Sequence, residues 1–156
     1  MGFKTTIFRS LTRTATVSAG LFAGGTLYIT LVEHPARRKL ATSQMYLEWK
    51  ESLVSAKPMP LLVLISSLSG IGAYLLKPKA KGIPWIFAGG AIAVILPYTA
   101  LVMWPFAIGP IYDKQRAERK GDEYVRRYLE KWNSLNTFRT VLSLAVFGFC
   151  VYNIRK

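Results

Sequence analysis

The chain is poor in the residues that hold metals, form disulfides or carry negative charge. It has one cysteine, Cys150, and one histidine, His34, in 156 residues. A lone cysteine excludes an intramolecular disulfide and every cysteine-based metal spacing, and it leaves the redox compartment unread. A lone histidine excludes a His-x-x-x-His metal pair and leaves His34 as the one obvious axial ligand for a haem. No phosphate-binding glycine loop and no nucleophile elbow occurs. On these grounds neither a metal nor a cofactor is expected. Acidic residues number 8 against 21 Lys and Arg, with none before Glu33 and none between Glu51 and Asp113. A proton-coupled transporter would carry acids within its apolar stretches, and these have none.

What the chain has instead is long apolar runs between short blocks of charge. Arg13 and Glu33, Lys57 and Lys77, Lys81 and Asp113, and Arg139 and Arg155 bracket four such runs. About twenty apolar residues cross a bilayer as a helix. The runs predict an all-α fold, an integral membrane four-helix bundle forming one domain over 1–156. Its spans are expected at about 14–32, 59–76, 84–104 and 135–153. The net charge of +13 does not point to nucleic acid, because the basic residues flank apolar spans, where they meet the headgroups of a lipid bilayer. The basic, Thr-rich, acid-free start resembles a mitochondrial address. The mitochondrial inner membrane and an endomembrane are the two compartments considered.

Four crossings put both termini and the 77–83 link on one face. The connections 33–57 and 105–134 then share the other, which brings Glu33, His34 and Arg37 to the same side as Trp132, Asn136 and Arg139. Short interfacial helices are expected in both connections. Tyr46, Trp49 and Leu53 recur at helical spacing, and Asp122 is placed as an N-cap before a stripe of Tyr124, Val125, Tyr128, Leu129 and Trp132. Such helices anchor in the interface or cover the bundle mouth. Gly20, Gly24, Ser66 and Gly70 suit close helix packing. Pro97 should kink the third span near mid-depth, and Pro105 and Pro110 should end it. Arg139 stands within apolar sequence and must face a carboxylate, carbonyls or a wet cavity. A structural Glu33–Arg139 latch and a functional cavity are both open.

Three stretches in register, "EHPARRKL", "LPYTALVMWP" and "WNSLNTFRTVLSL", resemble the anthrone-oxygenase-like family of small membrane proteins over about residues 14–153. The resemblance implies a four-helix membrane bundle. It also implies oxidation of an anthrone to an anthraquinone by molecular oxygen, without a classical cofactor. The family pattern falls on Glu33, Pro35, Ala36 and Arg37, on Pro97, Tyr98 and Thr99, and on Trp132 and Arg139. On this resemblance, Glu33 or His34 would act as base and Arg37 or Arg139 would hold the phenolate. Tyr98, Trp104 and Trp132 would line a slot for a small aromatic ligand, with Pro97, Thr99 and Asn136 beside it. The chain departs from the pattern at Ala107, where members often have Asn, and at Asn136, where they often have His. Those departures motivate the alternative reading, a noncatalytic subunit packed against other membrane subunits.

Overall fold

A computed structural model describes residues 2–77 and 80–155, and every element in it is helical. The helices are α1 (Phe3–Arg37), α2 (Thr42–Ser55), α3 (Met59–Leu76), α4 (Ile83–Tyr112), α5 (Lys114–Lys120) and α6 (Asp122–Ile154). The chain is an all-α membrane bundle: α1, α3, α4 and α6 each carry a segment long and apolar enough to cross a bilayer. Large apolar side chains stay exposed along them, with Leu68 66%, Phe87 68% and Leu101 71% exposed. In water such a belt would drive association, whereas in a bilayer it meets acyl chains.

Four sequence expectations about helix ends need correction. Helix α1 does not stop at the charged block but runs through Glu33 and Pro35 to Arg37. Proline lacks the donor of an α-helical bond. A wide π-helical segment at Ile29–Glu33, in which the His34 N–H bonds the Ile29 carbonyl, absorbs the change of register. Helix α4 likewise passes Pro105 and Pro110 and ends at Tyr112. Pro97 follows a break in its ladder at Val94, and Thr99–Ile108 is again π-helical. The 122–134 stretch is not a separate interfacial helix. It is the first third of α6, whose 33 residues span about 50 Å, more than the hydrocarbon needs. Asp122 is not its N-cap: that position is Gly121, at φ 87°, and Asp122 and Glu123 lie in the first turn beside the positive helix terminus.

Small residues set the bundle's spacing at membrane depth. Ala15, Ala19 and Ala23 are buried on α1, and the Ser66 hydroxyl donates to the Ala15 carbonyl at 2.9 Å. On α3 and α4 the backbones touch at two glycines. A Cβ on Gly70 would sit 2.5 Å from the Trp85 carbonyl oxygen, and one on Gly89 would sit 2.8 Å from that of Ser67. A second core lies beyond, where α2 folds back over the bundle end and packs Met45 and Trp49 against Met103, Ile111, Leu129 and Trp132. Arg126 ties the turn before α2 to α6 by donating to the Thr42 hydroxyl at 2.8 Å and the Leu40 carbonyl at 2.7 Å.

Candidate functional site

Helix α2 ends at Ser55 and α3 begins at Met59, and residues on both sides of this break line one cavity. Its volume is about 540 Å3. Its walls are apolar side chains from every neighbouring element, including Phe22 and Ile29 of α1, Leu53 of α2, Val63 of α3, and Ile95 and Leu96 of α4. The exposed members of its lining, Lys57, Pro60, Ala100 and Trp104, mark where it opens. The π-helical segments of α1 and α4 sit at this depth, and Ile29, Thr99, Ala100 and Trp104 within them line the cavity. Wide turns of this kind shift the register of side chains locally and recur at functional sites.

The charged group inside is Arg139. Its Nε and one terminal nitrogen donate to the Asn136 side-chain oxygen at 3.2 and 2.5 Å, and the other terminal nitrogen faces the Thr99 hydroxyl at 3.5 Å. Among the described residues no carboxylate stands at ion-pair distance from it. The Asn136 amide in turn donates to the Thr30 hydroxyl at 3.0 Å and the Thr26 carbonyl at 3.4 Å. Thr30, Thr140, Thr26 and Ser143 continue the chain of hydroxyl contacts between α1 and α6. Arg139 is thus held rigidly by neutral partners, and its positive charge is left uncompensated at an apolar wall. A desolvated cation in this setting favours an anionic or strongly dipolar guest.

The residues singled out from sequence divide into two groups. Thr99, Trp104, Trp132 and Arg139 line the cavity, and Asn136 stands directly behind Arg139. Glu33, His34 and Arg37 do not line it. They belong to an ionic cluster on the far side of Trp132, where fully buried Arg37 pairs with Glu33 and, at 3.4 Å, with Glu48. The Arg37 guanidinium also stacks 5.8 Å from the Trp132 ring centroid. His34 meets Glu130 at 3.2 Å, and Arg38 meets the same carboxylate at 2.8 Å. The Glu33–Arg139 latch is therefore not formed. Pro97 is exposed, and the Tyr98 hydroxyl donates to the Leu135 carbonyl at 3.2 Å while its ring lies on Phe138, so both lie outside the cavity wall.

Sequence reasoning missed Thr26, Lys57 and the apolar wall. The hydroxyls had a signal: Thr26 and Thr30, and Asn136, Thr140 and Ser143, recur at three or four residues within otherwise apolar helices, which places each set on one face. Lys57 had none, because its position follows from the break between α2 and α3. Among the described residues no three His, Cys, Asp or Glu side chains come together in a way that would hold a metal ion.

Fold and cavity together define a multi-pass membrane protein with an arginine-tipped apolar chamber in its bundle. The family model described as anthrone oxygenase matches residues 49–149, and the chain belongs to that family. The matched stretch contains α3, α4 and Arg139 and omits the Glu33–Arg37 turn. Neither the comparison with curated proteins nor that with solved structures gives a match.

Proposed function

We propose that the chamber binds a flat, electron-rich phenol of the anthrone type from the membrane and oxidises it with molecular oxygen to the quinone. The observation that carries this reading is a cavity of about 540 Å3, apolar on its walls and ending on a guanidinium without a carboxylate partner. That volume is within the roughly 300–1,000 Å3 of small-molecule sites. Apolar walls take the rings, and Arg139 takes the oxygen that becomes anionic.

The chemistry asks little more of the protein. Loss of one proton turns the anthrone into an electron-rich anion, which passes one electron to oxygen. The resulting carbon radical and superoxide combine to form a C–O bond, and the peroxide anion takes a proton back from water and then loses water to leave the ketone. In sum, anthrone and one O2 give anthraquinone and one water. Arg139 favours the first step by stabilising the anion over the neutral phenol. Glu33 and His34 are removed from the chamber by the Trp132 layer, so they are not the bases in this scheme. The proton leaves through the mouth beside Lys57, whose positive charge also favours the anion.

The test is incubation of purified protein with emodin anthrone in air without added metal, following quinone absorbance. Quinone formation above the protein-free rate, lost in Arg139→Leu, is expected. Quenching of tryptophan fluorescence by the product quinone, with no turnover, would leave a binding protein and overturn the oxygenase. Neither quenching nor turnover would overturn the whole reading and leave the noncatalytic subunit.

A further inference from the structure

Two side chains in the lining of the chamber carry charge, Arg139 and Lys57, and both are cations. Arg139 stands inside, held by Asn136 and Thr99. Lys57 is exposed where the chamber opens, in the short break between α2 and α3. Its N–H donates to the Val54 carbonyl at 3.3 Å and Pro58 follows it, so its backbone is held between two helices. The Lys57 ammonium forms no ion pair with Glu51 or with any other described acid. Glu33 and Glu48, the other acids of α1 and α2, are both engaged by Arg37. Ser52, in the last turn of α2, adds a hydroxyl to the same lining.

We propose that the chamber takes an anthrone-type phenol that also carries a carboxylate, and that Lys57 is the residue that selects it. This rests on the anthrone reading of the chamber and adds a second anionic pole to the guest. A guest with one anionic oxygen satisfies Arg139 and leaves Lys57 facing an empty mouth. A carboxylate on the outer ring meets Lys57 there without leaving water, so it gains the attraction at little desolvation cost. The same carboxylate turned inward would lose its hydration at apolar walls. The pair of cations therefore also orients the guest, phenol inward and acid outward. The carboxylate is charged before and during the reaction, so Lys57 favours substrate and transition state alike. Its effect falls on KM, whereas that of Arg139 falls on kcat.

The experiment compares anthraquinone-2-carboxylate with anthraquinone-2-carboxamide by quenching of tryptophan fluorescence in a neutral detergent at low salt. Partitioning into micelles is common to parent and variants, so the ratio of the two dissociation constants within each protein decides. Lys57→Gln should weaken the carboxylate relative to the carboxamide by about fivefold, the upper end for a solvent-exposed charge pair. Lys57→Arg and Lys120→Gln should keep the parent ratio. An unchanged ratio in Lys57→Gln, with both quinones still quenching, would overturn the selectivity and leave the anthrone reading standing. A changed ratio with no turnover of emodin anthrone would remove the oxygenase and leave the selectivity. Quenching by neither quinone would overturn both. If Lys57→Gln does not fold, the unsubstituted protein still decides: the relative affinity for the carboxylate must fall as sodium chloride is raised, and a salt-insensitive ratio refutes the proposal.

Discussion

At the scale of single residues, two buried arginines show how the same side chain serves different ends. Arg37 is fully enclosed and meets two carboxylates, Glu33 and Glu48, so its charge is compensated within the chain. Removing it strands those acids and opens a void beneath Trp132. Arg37→Ala should cost about 3 kcal/mol of stability, read from denaturant or thermal unfolding in micelles, with any surviving fold still binding at the chamber. Arg139 is held by Asn136 and Thr99, neutral partners that orient it without cancelling its charge. Arg139→Leu should leave stability close to the parent's and lower kcat/KM by about a hundredfold, the usual loss on deleting a donor to a developing anion. Arg139→Lys keeps the charge but loses the fork to Asn136 and should fall between the two. Turnover should rise with pH through the ionisation of the bound phenol. A rate that falls with rising pH would contradict the anionic intermediate. Arg139 was legible as unusual in the sequence because a cation interrupts an apolar run. Its partner was not legible: Glu33 is within reach of both Arg139 and Arg37 by sequence pattern, and the i, i+4 geometry of one helix settled it in favour of Arg37.

Among the helices, the crossings could be read from sequence, whereas their ends could not. Charge pattern marks where hydrocarbon stops, but the backbone's hydrogen bonds hold equally well in headgroups or water. Helices α1 and α6 therefore continue past their charged blocks to Arg37 and back to Asp122. Proline was a second source of error. Pro105 announces a missing donor, and the chain answers it by widening the turns over Thr99–Ile108 instead of ending the helix. The sequence marks the missing donor but not which of the two answers the helix takes. The small-residue pattern translated in part: Gly70 meets Gly89 where α3 and α4 touch, and Gly20 faces the Phe147 ring, whereas a Cβ on Gly24 would meet nothing within 4 Å. Around Gly70 both walls are backbone, so nothing can rotate aside. Gly70→Ala should force α3 and α4 apart at a cost of about 1–3 kcal/mol, measured by unfolding. Gly90→Ala, whose added Cβ would meet nothing within 4 Å, should be neutral by the same measurement.

For the whole molecule, the arrangement is a polar division of labour between two ends. Acids and bases mix at the end covered by α2, where they form ion pairs, while the charged side chains described at the other end are Lys and Arg. This division follows from four crossings, and it can be tested without any ligand. Cys150 is 1% exposed and packed against α1 at membrane depth, so the chain is nearly silent to polar thiol reagents. A cysteine placed at Lys81 and one placed at Lys120 should then label from opposite sides of a sealed vesicle, each only when a membrane-impermeant maleimide is on its own side. A cysteine at Lys57 should label with Lys120→Cys, since the chamber mouth opens on that side. If Lys57→Cys labelled together with Lys81→Cys, α3 would not cross the membrane, and the chamber assembled from α1, α3, α4 and α6 could not exist in the bilayer.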